Sequence, residues 1–190
     1  MSTLSLEKLS FTFVTRDEFM PVFNEHREKI FAENNDINYS VHWSEEETAK
    51  FKDLQSKCKT EVRSFLLCKD EDKIIGWSFG YQKDAEEFYM VNSAVFPEYR
   101  NRGVYTKLLE MIIEKAAEEG FQIVSSFHHA SNNAIIIPKL KAGFKIVGMK
   151  INPRFGTLVE LHYFTNEKVG QILDYRTGST KKLPPTSRGL

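Results

Sequence analysis

The sequence predicts an α/β protein: a mixed, mostly antiparallel central sheet with a strand–helix–strand crossover and helices on both faces. Three observations carry that expectation. Residues 62–96 hold three consecutive apolar runs separated by short turns. Residues 104–119 form a strongly amphipathic helix with a further strand beyond it, so a crossover sits in an otherwise antiparallel series. Residues 144–164 then read as a closing hairpin.

The elements follow in order. "LSFTFV" (9–14) alternates and reads as a first strand. "TRDE" (15–18) puts Thr and Glu at capping-box spacing before a helix whose buried stripe is Phe19, Val22, Phe23, Ile30 and Phe31. "SEEE" (44–47) opens a second, more polar helix expected to pack shallowly. "VRSFLLC" (62–68), the turn "KDEDK" and "IIGWSFGYQ" (74–82) make a hairpin. On its second strand Trp77, Phe79 and Tyr81 alternate, a pattern that suits core packing, above all for Trp77. "EEFYMVNSAVF" (86–96) is mostly apolar and therefore central.

Val104, Leu108, Ile112 and Ala116 mark the buried side of the strongest helix, and Gly120 stands where a C-cap glycine belongs. "FQIVSSFHH" (121–129) is a strand, and "NNAIIIPKLKAGF" (132–144) is helical with a disturbance at Pro138. "FKIVGMKI" and "TLVELHYF" form the closing hairpin. One domain over residues 1–164 is expected, with 165–190 as a tail that adds one short element and ends in a flexible, proline-containing stretch.

Composition narrows the function. Twenty-six basic and 26 acidic residues cancel, so no general basicity points to nucleic acid and any anion site must be local. No apolar run approaches the roughly 18 residues of a membrane span, and no signal peptide is visible, so a cytoplasmic protein is expected. Cys58 and Cys68 suit free thiols better than a disulfide framework. His26, His42 and His162 show no spacing that suggests a metal, and none is expected.

The local anion site falls at "VFPEYRNRGVYTKLLE" (95–110). A helix start there offers unpaired backbone N–H groups from Asn101 to Thr106 and a partial positive charge. Gly103 allows close backbone approach, and Arg100 and Arg102 add charge-assisted contacts. Neither a P-loop nor a dinucleotide fingerprint is present.

This segment closely resembles the acetyl-CoA-binding segment of the GNAT superfamily of N-acetyltransferases, V-x-P-x-x-[RQ]-x-x-G-x-[GA] before an amphipathic helix. Val95, Pro97, Arg100 and Gly103 fall on it. "NNAIIIPKLKAGF" is similar to a second family signature, an asparagine opening a helix that ends in K-x-G-F, and the order of elements also matches over roughly residues 9–164. The resemblance implies acetyl transfer from acetyl-CoA to a small-molecule or peptide amine by direct attack in a ternary complex, with no metal.

It also implies a cofactor site made of Ser93, Ala94, Val95, Arg100, Asn101, Arg102, Gly103, Val104, Tyr105 and Thr106, joined by Asn132 or Asn133 at the next helix start. A backbone N–H near Val95 would face the thioester oxygen. His128, His129 and Glu87 are the candidates for the base that deprotonates the amine.

Two departures stand out. Tyr105 replaces the usual Gly or Ala, with its ring expected to stack on the cofactor or turn outward. Lys139 replaces the tyrosine that in many members protonates the leaving thiolate. An exposed lysine, with a pKa near 10.4, is a poor acid toward a thiolate of pKa about 8.5. It would act only electrostatically, and its replacement by Met would cost less than about tenfold in rate, on the order of 1.4 kcal/mol. Only burial would make it acidic enough to donate. The partners open to the chain are an amine acceptor and a second copy in a homodimer. The competing readings are a non-catalytic acetyl-CoA sensor of the same fold and an unrelated α/β phosphate-binding protein.

Overall fold

A computed structural model describes residues 6–31, 44–46, 48–50, 52 and 63–182. Seven strands form one sheet in the order β1-β2-β3-β4-β5-β7-β6. They are β1 (Leu9–Val14), β2 (Arg63–Asp70), β3 (Lys73–Gln82), β4 (Glu87–Val95), β5 (Ile123–His129), β6 (Lys145–Asn152) and β7 (Gly156–Phe164). The fully described α-helices are α1 (Arg16–Ile30), α2 (Val104–Glu118), α3 (Asn133–Lys141) and α4 (Glu167–Arg176). Residues 45, 46, 48–50 and 52 of the expected second helix are helical; the rest of it lies outside the described residues, as do Cys58 and His42.

The capping box before α1 forms as expected: the Glu18 backbone N–H donates to the Thr15 hydroxyl, and Glu18 accepts from the Thr15 backbone N–H. Phe19 is fully buried on one face of the sheet with Phe65, Leu67, Trp77 and Ala94. Val22, Phe23, Ile30 and Phe31 pack around them. The opposite face carries the larger core, in which Val104, Leu108, Leu109, Ile112 and Ala116 of α2 and Ile136 of α3 meet Leu66, Ile75, Phe88, Met90, Val124 and Leu161. Trp77 is a core residue, and its indole N–H donates to Asn92 Oδ1 at 2.8 Å.

Pro138 and the tail add detail to the expected elements. Pro138 lies inside α3 without ending it, and the Ala142 N–H still reaches the Pro138 carbonyl at 3.0 Å. The tail supplies a ten-residue helix, α4, which sets Gly170 against Phe164 and pairs Asp174 with Lys145.

The pairing of β4 decides where the sheet can open. Its antiparallel register with β3 runs Gly80↔Met90 and then Phe79↔Asn92, so Val91 is an extra residue, a β-bulge. A bulge bends its strand and increases the local twist. On the other edge β4 pairs parallel with β5 only at Glu87↔Ile123, Phe88↔Val124 and Tyr89↔Ser125. From Met90 and Ser126 onward the two central strands part.

Gly80 sits beside the bulge with no space for a side chain. A Cβ there would lie 2.4 Å from Phe88 Cε1 and 2.5 Å from the Tyr89 carbonyl oxygen. Gly80→Ala should therefore destabilise the fold by about 1–3 kcal/mol, as over-packing does, measured as a lower urea midpoint with unchanged slope.

Candidate active site

The parting of β4 and β5 exposes backbone. The Phe96 N–H pairs with the Ile75 carbonyl of β3 at 2.9 Å. Because backbone groups alternate along a strand, Ser93 and Val95 direct theirs to the other side, into the gap. Arg100 Nε donates to the Val95 carbonyl at 3.1 Å, tying the loop after β4 to the end of the strand. That bond commits part of a guanidinium that the sequence reserved for an anion. Ser93 shares a 2.8 Å hydroxyl contact with Ser78, and Ala94 points to the opposite face, into the α1 core.

The start of α2 has the form expected of an anion cradle. Asn101 and Gly103 both adopt left-handed backbone, φ 59° and 82°. Gly103 is the N-cap and supplies no side-chain bond to the first turn, so no cap blocks a ligand from the N–H groups of Val104, Tyr105 and Thr106. Arg102 and Thr106 are exposed, and Arg102 lies over the Tyr99 ring at 5.8 Å. Val104 is a core residue. Tyr105 neither stacks over the cradle nor turns outward. It packs against the α2 core with its hydroxyl buried and unpartnered, and burial pushes that hydroxyl's pKa well above the ordinary range.

The candidate bases fall on different faces. Glu87 and His129 share the α1 face of the sheet, whereas His128 points to the α2 face. Glu87 is buried, and both its oxygens accept from Lys83 Nζ, at 2.7 and 2.9 Å. Glu160 and His162 lie beside it, with one ligand atom of each of the three within 4.8 Å of the others. His162 therefore has the acidic neighbours that its sequence spacing did not suggest. The Lys83 ammonium already serves as the cation of this group, which reads as a salt-bridge network.

His129 sets its ring edge-on to Phe155 at 6.3 Å. His128 Nε2 lies 3.1 Å from Ser126 Oγ, and burial, followed by the charge of Lys139, lowers its pKa to about 3. An imidazole so reluctant to take a proton is a poor base, so the structure does not favour that expectation. Asn132 occupies the N-cap of α3 but makes no side-chain cap bond, and Asn133 opens the helix exposed.

Lys139 departs furthest from expectation. Helical spacing puts it on the same inward stripe as Ile136, and it is 1% exposed. Its Nζ donates to Ser126 Oγ at 2.7 Å, approaches Met90 Sδ at 3.4 Å and stands 4.4 Å from the centre of the Phe144 ring. Met90 and Ser126 are the first residues after the β4–β5 pairing ends. The ammonium thus sits at the vertex of the gap, where burial pulls its pKa down to about 7. The apolar residues flanking position 139 in "AIIIPKLKAGF" are the sequence signal for this inward position, set against the usual exposure of lysine.

On the α1 face of the same vertex, Tyr89 and Phe127 floor a cleft of about 280 Å³, walled by Tyr81 and Phe155 with Lys83 and Lys150 among its lining. The gap between the strands lies between this cleft and Lys139.

No helix among the described residues is long and apolar enough to cross a membrane. No curated protein sequence is significantly similar to this one. Solved structures share the fold at low identity. The ribosomal-protein-S18-alanine N-acetyltransferase from Escherichia coli matches with a TM-score of 0.59 and 17% identity, over 83% of this chain and 94% of that one. A GNAT family acetyltransferase from Elizabethkingia anophelis, with acetyl-CoA bound, matches with a TM-score of 0.59 and 18% identity, over 83% and 99%. A GCN5-related N-acetyltransferase from Kribbella flavida matches with a TM-score of 0.62 and 16% identity, over 84% and 99%. The family model of the GNAT acetyltransferases matches residues 23–144, a span that holds the bulged strand, the glycine-capped helix and the buried lysine; the chain belongs to the acetyltransferase (GNAT) family.

Proposed function

We propose that the protein transfers the acetyl group of acetyl-CoA directly to a primary amine bound on the α1 face of the gap. The observation that carries this reading is the open edge of β4 running to an uncapped helix start. The diphosphate is held by the N–H groups of residues 103–106, with Arg102 adding charge. The pantetheine arm pairs with the backbone of Ser93 and Val95 as a further strand would. Val95 N–H then faces the thioester oxygen, where it stabilises the developing oxyanion. The Elizabethkingia anophelis relative, solved with acetyl-CoA bound, supports the choice of co-substrate.

The amine enters from the aromatic cleft, on the opposite side of the sheet from α2. Most of the acceleration comes from holding amine and thioester together. Of the two candidate bases on this face, Glu87 lies two residues from the end of the β4–β5 pairing and His129 four. We therefore assign proton removal to Glu87, acting through one water because Lys83 holds both its oxygens. A sensor that binds acetyl-CoA without turnover would need the gap but not a cleft on its far side.

A screen of amines with acetyl-CoA and a free-thiol readout should find turnover, and its absence with every amine would leave the sensor reading. Acetyl-CoA and CoA should both raise the melting temperature while ATP does not. Gly103→Asp should abolish the CoA-dependent rise, since it places a charged side chain at the phosphate approach, and equal stabilisation by ATP would favour a generic phosphate site. Glu87→Gln should lower kcat roughly 10²-fold or more while leaving acetyl-CoA affinity intact; a larger loss in His129→Ala would move the base to that residue.

A further inference from the structure

We propose that Lys139 is the acid that protonates the departing thiolate, and that Ser126 and His128 form the line along which its proton is replaced. This rests on the acetyl-transfer reading above. The geometry that carries it is a row of three side chains on the α2 face: Lys139 Nζ to Ser126 Oγ at 2.7 Å, and Ser126 Oγ to His128 Nε2 at 3.1 Å. The row begins at the vertex, where Lys139 and Ser126 are each 1% exposed, and ends at a partly exposed imidazole.

A fully buried lysine is costly unless its charge is answered. The groups facing Lys139 are the Met90 thioether from β4, the Ser126 hydroxyl from β5 and the Phe144 ring beyond α3, with His128 one bond further. None is a carboxylate. Among the described residues the ammonium therefore has a polar contact and a ring but no counter-ion, and a thiolate forming in the gap would provide one.

The step balances as follows. The amine attacks the thioester carbon, the C–S bond breaks, and the sulfur leaves with the electron pair. Lys139 gives one of its three protons to that sulfur and becomes a neutral amine. Ser126 then passes its hydroxyl proton to Lys139 and takes one from His128 Nε2, while His128 Nδ1 takes one from water. Nothing is oxidised or reduced. A neutral imidazole suits this role, because it can accept at one nitrogen and donate from the other, and the low basicity of His128 keeps it neutral at ordinary pH.

Burial sets the direction of the pH dependence. With its pKa near 7, Lys139 carries its proton below that pH and loses it as pH rises through it, so thiolate protonation by this residue fades on the alkaline side. An ammonium this acidic also donates downhill to a thiolate of pKa about 8.5.

The test compares two acetyl donors with one accepted amine. With acetyl-CoA, Lys139→Met should lower kcat by about 10²–10⁴-fold, and Lys139→Tyr should restore much of it and move the alkaline limb upward. With an acetyl thioester of an aromatic thiol, whose thiolate needs no proton to leave, the Lys139→Met loss should shrink to less than about tenfold, one decade being 1.4 kcal/mol. Ser126→Ala, which cuts the row but keeps the lysine, should lower kcat with KM for acetyl-CoA unchanged. Titration of the Lys139 side-chain carbons by NMR should show a midpoint near 7.

Equal losses in Lys139→Met with both donors would overturn the proposal, because a merely structural lysine cannot distinguish leaving groups. So would a midpoint near the ordinary lysine value, or acetyl found by mass spectrometry on Ser126 or Lys139 before acceptor is added. A wild type that turns over no amine would remove the thiolate and overturn this proposal together with the reading beneath it. Normal wild-type turnover with a donor-independent loss would overturn this proposal alone.

Discussion

A parallel strand pair that stops after three residues governs this molecule. β4 and β5 are joined only at residues 87–89 and 123–125, and the extra residue at Val91 bends β4 away from its neighbour. Backbone N–H and C=O groups left without a ladder must find partners. Here they face a gap that a ligand with peptide-like groups can fill. The bulge also resets which way side chains point. Met90 enters the α2 core, Asn92 turns to Trp77 on the other face, and Val95 returns to the α2 side. One inserted residue therefore opens the sheet and keeps both cores packed.

The two faces of the gap have different chemistry for the same reason. The α2 face receives the helix start with its unpaired donors and the only cation at the vertex among the described residues, Lys139. The α1 face carries an aromatic cleft among the described residues. A group threaded through the gap would present its carbonyl carbon to the cleft and its sulfur to the lysine side. In the proposed reaction the sheet would separate the incoming amine from the outgoing thiolate.

Much of this was legible in the sequence. The order of elements along the chain follows from period-two and period-four patterns, and Gly103 with its neighbours offers a candidate anion cradle. The C-terminal helix α4 was weaker, because its apolar content is low and its stability comes from docking Gly170 on Phe164. The bulge left no signal, since one extra residue in an apolar strand changes no composition. The burial of Lys139 runs against its residue type, since lysines are almost never fully buried, although the helical stripe through Ile136 points inward. The facing of His128 and His129 was readable only in part: adjacent strand residues must point oppositely, but which one shares the cleft with Glu87 depends on register. The group formed by Glu87, Glu160 and His162 joins residues far apart in sequence, so only the β4–β5–β7 pairing could bring them together.

Residue-resolved amide hydrogen exchange with and without CoA tests the central claim most directly. The account predicts slower exchange on adding CoA at the N–H groups of residues 103–106 and of Ser93 and Val95, with β1 and β2 unaffected. Unchanged exchange at those amides, with protection appearing instead around another surface such as that between His26 and Phe96, would contradict it.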